Sequence, residues 1–238
     1  QAQYEVGALH VLGLGGAPKN SKLVLEWAAK AAEQGHAGSL YYMGICNEEG
    51  RGIESNITKA KELYIRAAEE GHGGAANNLG AMSEDAGGAH EVVVKHYQKA
   101  ATMGSIHGSY NWARLNDTDK ATAETKKEII ARYLSASKGG HAGAQNNLAA
   151  LLQADEKNEG RLEEAARWYR SAADQGHADA QFNLGLMILR GQGGLTVDLK
   201  EVFVWWGRAA LQDQDQAISN LPALADQMDQ EELNEGRK

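Results

Sequence analysis

Apolar residues recur along the chain at helical spacing, in stripes about a dozen residues long separated by short glycine-bearing steps. The stretch 165–185 shows the unit. Ala165, Trp168, Tyr169, Ala172 and Ala173 make one stripe, Gly176-His177 interrupts it, and Ala180, Leu184 and Gly185 open the next. The same arrangement returns through most of the 238 residues. Gly-His marks the step at 35–36, 71–72, 140–141 and 176–177, and Gly104-Ser105 stands where a further marker belongs. The spacing is 36 residues from Gly35 to Gly71 and again from Gly140 to Gly176, and the 69 residues between hold one 36-residue and one 33-residue unit. Two stripes per unit of this length predict a helix pair, A then B, that cannot bury its apolar faces without a neighbouring pair. The prediction is an all-α solenoid of about six repeats, near 1–36, 37–72, 73–105, 106–141, 142–177 and 178–212, closed by a helical cap over 213–238.

The punctuation predicts individual helices. In the first repeat, helix A runs to about Leu12, glycines 13, 15 and 16 with Pro18 form a loop, and Asn20 or Ser21 caps helix B. Helices follow near 37–49, 57–70 (capped by Asn56), 73–85 and 90–103. The fourth repeat is irregular: its loop 116–119 lacks paired glycines, and Thr125 with Glu128 reads as a capping box opening helix B. After residue 212 the pattern decays. Asp213-Gln214 replaces Gly-His, Pro222 replaces a helix A glycine, and Asp229 is placed as the cap of a last short helix. The pairs Ala31-Ala32, Ala67-Ala68, Ala100-Ala101, Ala172-Ala173 and Ala209-Ala210 allow close helix approach. Trp27, Tyr64, Tyr97, Tyr133, Tyr169 and Trp206 fill the space between stacked pairs. The turn histidines, a repeat apart, cannot converge on one metal ion and are expected at helix C-termini, where partial negative charge favours them.

The run Ala-Gln-x-Asn-Leu-Gly, a Gly-x-Gly loop (Gly50/Gly52, Gly191/Gly193) and then Trp-Tyr, Ala-Ala and Gly-His resembles the Sel-1-like repeat family, relatives of tetratricopeptide repeats. The resemblance covers residues 1 to about 212, and repeat four departs most, lacking both the Gly-x-Gly and the His. It implies a right-handed α/α superhelix whose A helices line a concave groove. It also implies an adaptor or assembly factor with a protein or peptide partner. Cysteine-rich members reported to act on β-lactams carry a cysteine pair per repeat; this chain has Cys46 alone.

Composition narrows the function classes. A net charge of −8 argues against nucleic acid and against an anionic membrane surface, because both need clustered Lys and Arg. Nothing in the sequence approaches the apolar run of a membrane-spanning helix. The lone cysteine excludes an intrachain disulfide and fits a reducing compartment. The start at Gln1, without Met, reads as a trimmed or processed chain. The glycine loops lack the strand and Lys-Ser/Thr of a phosphate loop. No catalytic residue, metal site or cofactor is expected.

The candidate binding residues form a ladder. Asn78, Asn111, Asn147 and Asn183 share one repeat position, which Tyr42 and Glu5 hold earlier in the chain. Asn is unfavourable inside helices, so its recurrence at one phase needs a reason. An amide can donate to and accept from an extended peptide's backbone at once. It can equally bond the backbone of its own or the next repeat, and the sequence leaves both readings open. Arg114 and Arg190 lie on the same stripe and are the candidates for meeting an acidic group. The expected function is a non-catalytic protein-interaction scaffold that takes a peptide or helix along the A helices. The alternative is a fixed subunit of a larger multiprotein complex, docked through the convex face or the array ends.

Overall fold

A computed structural model describes residues 21–154 and 158–228, and these are helical with no strand. The first-repeat helix A, its glycine loop, Asn20 and the Asp229 helix all lie outside the described residues. The chain divides between Leu115 and Asn116 into two compact units. The first holds α1 (Ser21–Glu33), α2 (Ala37–Glu49), α3 (Ile57–Glu69), α4 (Gly73–Asp85), α5 (His90–Thr102) and α6 (Ile106–Asn116). The second holds α7 (Ala123–Lys138), α8 (Ala142–Gln153), α9 (Glu159–Asp174), α10 (Ala178–Leu189), α11 (Leu199–Ala210) and α12 (Asp215–Gln227). Even-numbered helices are the A helices of the sequence repeat and odd-numbered ones the B helices.

One turn repeats at every B-to-A junction. The first alanine of each small-residue pair is buried, and its carbonyl accepts a backbone N–H from the turn: His36 to Ala31, His72 to Ala67, Ser105 to Ala100, His141 to Ala136, His177 to Ala172 and Gln214 to Ala209. This bond pattern closes a helix through a residue in the left-handed region. That residue is Gly at φ between 78° and 89° in the first five turns, and Asp213 at φ 60° in the last.

The structure corrects the place of the histidines. They do not sit at helix C-termini as charge complements but are the N-caps of the A helices. The Nδ1 of His36, His72, His141 and His177 accepts the backbone N–H of Ser39, Ala75, Ala144 and Ala180, at 3.1, 3.2, 3.2 and 3.4 Å. Ser105 does the same for Gly108 N–H at 3.0 Å and Gln214 for Ala217 N–H at 2.7 Å. The exceptions to the Gly-His marker therefore keep its hydrogen-bonding role, which needs an acceptor rather than a cation. The opening of α7 is corrected too. Thr122 is its N-cap, accepting from Thr125 N–H at 3.2 Å, so the helix begins before the expected box.

Each unit packs its own core. In the first, Leu40, Leu63, Tyr64, Ala67, Ala75, Ala76 and Leu79 are buried together. In the second, Leu162, Tyr169, Leu184, Met187, Val202, Trp206 and Leu224 form the centre. A small residue on helix A seats the ring of the following helix B. A methyl added at Gly44 would lie 2.4 Å from the Tyr64 ring, at Gly80 2.6 Å from Tyr97, and at Gly185 2.4 Å from the Trp206 indole. Both Trp205 and Trp206 are core residues, and Cys46 is fully buried.

Candidate protein-binding face

The ladder asparagines are half-buried on the A helices, and their amides are already engaged. In the first unit, Asn111 of α6 donates Nδ2–H to the Asn77 Oδ1 of α4 at 3.0 Å. Asn78 lies one repeat beyond Tyr41 and Tyr64; burial raises the pKa of both hydroxyls, and the neighbouring Asn78 side chain offsets part of that rise. In the second unit, Asn183 of α10 donates to Asn146 Oδ1 at 3.1 Å, Asn146 donates to Asn147 Oδ1 at 3.1 Å, and Asn147 donates to the Tyr133 hydroxyl at 3.2 Å. The Tyr133 hydroxyl in turn lies 3.4 Å from Asp117 Oδ2. The pairing follows one rule within each unit. Asn111 and Asn183 each reach the residue just before the ladder position in the preceding repeat, Asn77 and Asn146.

Neither sequence reading anticipated these side-chain partners. The signal was present as the doublets Asn77-Asn78 and Asn146-Asn147, a second polar file beside the first. A further rung was missed as well. Asn220 of α12 holds the ladder position, but the residue it would reach is Phe182, and its Nδ2 bonds its own helix at Gln216 O instead.

Beside the ladder, each helix B tyrosine clasps the end of helix A. Tyr64 donates to Glu48 Oε2 at 2.6 Å, Tyr97 to Glu84 Oε2 at 2.8 Å, and Tyr169 to Gln153 Oε1 at 3.1 Å. Burial, then the adjacent carboxylate, pushes the Tyr64 and Tyr97 hydroxyls well above the usual phenol range. Arg114 joins this clasp. Its Nη2 reaches both Glu84 oxygens, at 2.8 and 2.9 Å, and that contact is the main reason the Glu84 carboxyl sits below its ordinary range. Arg114 thus meets an acidic group of the preceding repeat. Arg190, at the end of α10, is exposed and forms no ion pair with a described residue. Tyr42 is half-buried against Cys46, whose thiol burial pushes upward in pKa. The stripe is graded: half-buried amides at its centre, exposed charges such as Asp85, Arg114, Asp179 and Arg190 at its ends.

Among the described residues, no three His, Cys, Asp or Glu side chains gather as a metal site. No described helix is long and apolar enough to cross a membrane.

Comparisons with known proteins agree on the scaffold. The crystal structure of a protective antigen present in uropathogenic Escherichia coli strains, displaying an SLR fold, superposes at TM-score 0.70 with 23% identity over 99% of this chain. The chain spans only 59% of that antigen. A Sel1 repeat protein from Oxalobacter formigenes matches at TM-score 0.68 and 26% identity, over 87% of this chain and 84% of its own. An immunity protein from Pseudomonas aeruginosa shares the fold more loosely, at TM-score 0.52 and 22% identity over 92% of this chain and 85% of its own. No curated protein matches. The profile of the Sel1 repeat matches residues 1–36, 37–72, 94–105, 142–177 and 178–214, leaving out most of the third repeat and all of the irregular fourth, and the chain belongs to the Sel1 repeat family.

Proposed function

We propose that the chain is a non-catalytic scaffold that holds a peptide or helix of a protein partner against its A helices. Sel1 repeat proteins commonly mediate protein–protein interaction, which supports the class. The observation that carries the finer reading is the unused hydrogen-bonding capacity of the ladder. An amide offers two N–H groups and two lone pairs, and the inter-repeat bonds of Asn111 and Asn183 each use one donor. The remaining groups recur once per repeat on a half-exposed face. Asn78 and Asn111 are flanked by Tyr42 and Arg114 in the first unit, and Asn147 and Asn183 by Arg190 in the second. A partner backbone supplies the complementary donors and acceptors, and Arg190 receives an acidic group.

The test is the triple substitution of Asn111, Asn147 and Asn183 by Ala. Because these residues also join repeats, capture of the isolated partner is measured beside thermal unfolding. The expected result is lost capture with retained helicity at the assay temperature. Unchanged capture would leave the ladder with its inter-repeat role alone. Arg190→Glu, which breaks no contact between described residues, separates binding from stability.

A further inference from the structure

In the second unit, the loop joining α10 to α11 folds back on α9. Its turn closes through Leu195 N–H to the Gln192 carbonyl at 3.2 Å, with Gly193 and Gly194 between them at φ 62° and 71°. A methyl at Gly193 would lie 2.5 Å from the Leu162 carbonyl oxygen and 3.2 Å from Ala166 Cβ, so only glycine lets the loop come this close. Between loop and helix lies a cleft of about 340 Å³. Glu163, Ala166, Arg167 and Arg170 of α9 line one side; Gly193, Gly194 and Leu195 line the other. The cleft exists because a side chain is small. Counted back from the first alanine of the small-residue pair, Ala166 stands where the other described B helices carry Leu25, Lys61, Val94, Ile130 and Phe203. None of those helices has two cations at the positions matching Arg167 and Arg170. At the other Gly-x-Gly loop, Leu25 Cδ1 reaches to 2.9 Å from where a Gly52 methyl would stand, and Glu26 and Ala29 replace the arginines. Arg170 is held by Glu201 of α11, Nη2 to Oε1 at 3.0 Å, and the same oxygen accepts Trp205 Nε1–H at 3.1 Å. That contact uses one of five guanidinium N–H groups. Among the described residues, the Arg167 guanidinium has no ion-pair or hydrogen-bond partner, and the Gly193 and Gly194 N–H groups have no acceptor.

We propose that this cleft binds a single carboxylate carried on an apolar residue, as at the C-terminus of a peptide. Arg167 takes the carboxylate through its planar fork of N–H groups, a geometry that matches two carboxylate oxygens. The remaining donors of Arg170 and the turn N–H groups are the further partners it finds in the cleft. Ala166 and Leu195 cover the apolar side chain, whose burial separates this ligand from a bare ion. Charge sets the class. Glu163 on the same wall and Glu201 behind Arg170 balance the two arginines, so attraction comes from directed donors rather than from excess positive charge. A phosphate dianion or a run of carboxylates meets Glu163 and a chain of net charge −8. The volume is at the small end of ligand pockets, which suits a chain end rather than a long segment. The proposal does not depend on the A-helix reading, since no ladder residue lines the cleft.

The probe is the peptide Gly-Ser-Ala-Leu with fluorescein at its N-terminus and a free carboxylate, titrated into the 238-residue chain and followed by fluorescence anisotropy. Saturable binding is expected, at least about tenfold tighter than for the same peptide ending in an amide. Competition with N-acetylleucine distinguishes the sources of the carboxylate. Displacement at concentrations matching the unlabelled peptide assigns the cleft to free apolar acids, and a requirement for about tenfold more assigns it to peptide ends; either supports the carboxylate site. Arg167→Ala should weaken binding about tenfold or more, and Arg167→Lys, which keeps the charge but not the fork, should fall between. Arg167 is exposed, so the circular dichroism and urea midpoint of Arg167→Ala should match the parent. Ala166→Leu should abolish binding by filling the cleft as Leu25 does at the other loop. Absent saturable binding overturns the proposal, as do equal binding of the amide, binding indifferent to Arg167→Ala, and displacement by inorganic phosphate as effective as by N-acetylleucine.

Discussion

Ser137 of α7 occupies the second position of the small-residue pair, where the five other B helices among the described residues carry Ala32, Ala68, Ala101, Ala173 and Ala210. The residue is 2% exposed and its Oγ has no hydrogen-bond partner among the described residues. An unpaired buried hydroxyl costs free energy that a methyl does not. Ser137→Ala should therefore stabilise the protein by about 1 kcal/mol, seen as a higher urea midpoint at unchanged slope. A lower midpoint would mean that the hydroxyl is satisfied in solution. The ladder shows what residue-level reading can and cannot reach. Asn at one helical phase stood out because Asn disfavours helix interiors. Its partners stayed hidden because they lie a whole repeat away, and only the stacking of A helices places Asn183 beside Asn146 rather than beside a backbone carbonyl.

Whole helices were far more legible than single contacts. The expected segments near 37–49 and 73–85 coincide with α2 and α4, because glycine steps and apolar stripes set both ends independently. The exception, α7, starts at Ala123 because Thr122 offers a cap just upstream of Thr125, and capping chemistry cannot rank two such hydroxyls without the loop geometry. His72 carries a pH consequence that its corrected position reverses. At a helix C-terminus a protonated ring would stabilise; at an N-cap, protonated Nδ1 cannot accept the backbone N–H and its charge opposes the helix dipole. His72 is held below the ordinary histidine range by burial first and by His36 second. The folded state thus binds fewer protons than the unfolded chain around and below pH 6.5. Stability should be full above that value and fall as pH drops through the depressed His72 range. His96, also depressed by burial, adds to the same slope. Urea melts from pH 8 to 5 should show the decline. His72→Asn, which caps without titrating, should reduce it while leaving stability near pH 8 within about 1 kcal/mol. An unchanged slope in that variant would remove His72 from the account.

Within each of the two units, helix–helix packing joins sequence neighbours, as expected when each repeat is stabilised by the next. An array end must not invite another repeat, and α12 carries features that would suit one. It copies the A-helix start: Asp213 in the left-handed turn, Gln214 as N-cap, Ala217 buried, Asn220 at the ladder position. It breaks the copy at Pro222, which stands where Gly44, Gly80 and Gly185 seat the ring of a following B helix. An exposed proline offers no such seat. Meanwhile Ala217, Leu224 and Met228 cover the second-unit core beside Trp205 and Trp206. We therefore propose that α12 acts as the cap. Ending the chain after Gln212 should expose that core and cost about 3–6 kcal/mol, from the loss of two large apolar side chains at roughly 1.5–3 kcal/mol each. The measurement is urea unfolding with light scattering, and self-association is the expected companion because the uncovered face is an open solenoid end. The discriminating variant is Leu224→Ser, which keeps the helix start but removes its apolar contact. It should reproduce part of the loss, whereas Pro222→Ala should not, since that proline lies away from the core. If truncation leaves both stability and solubility unchanged, α12 is an appendage and the array closes at α11.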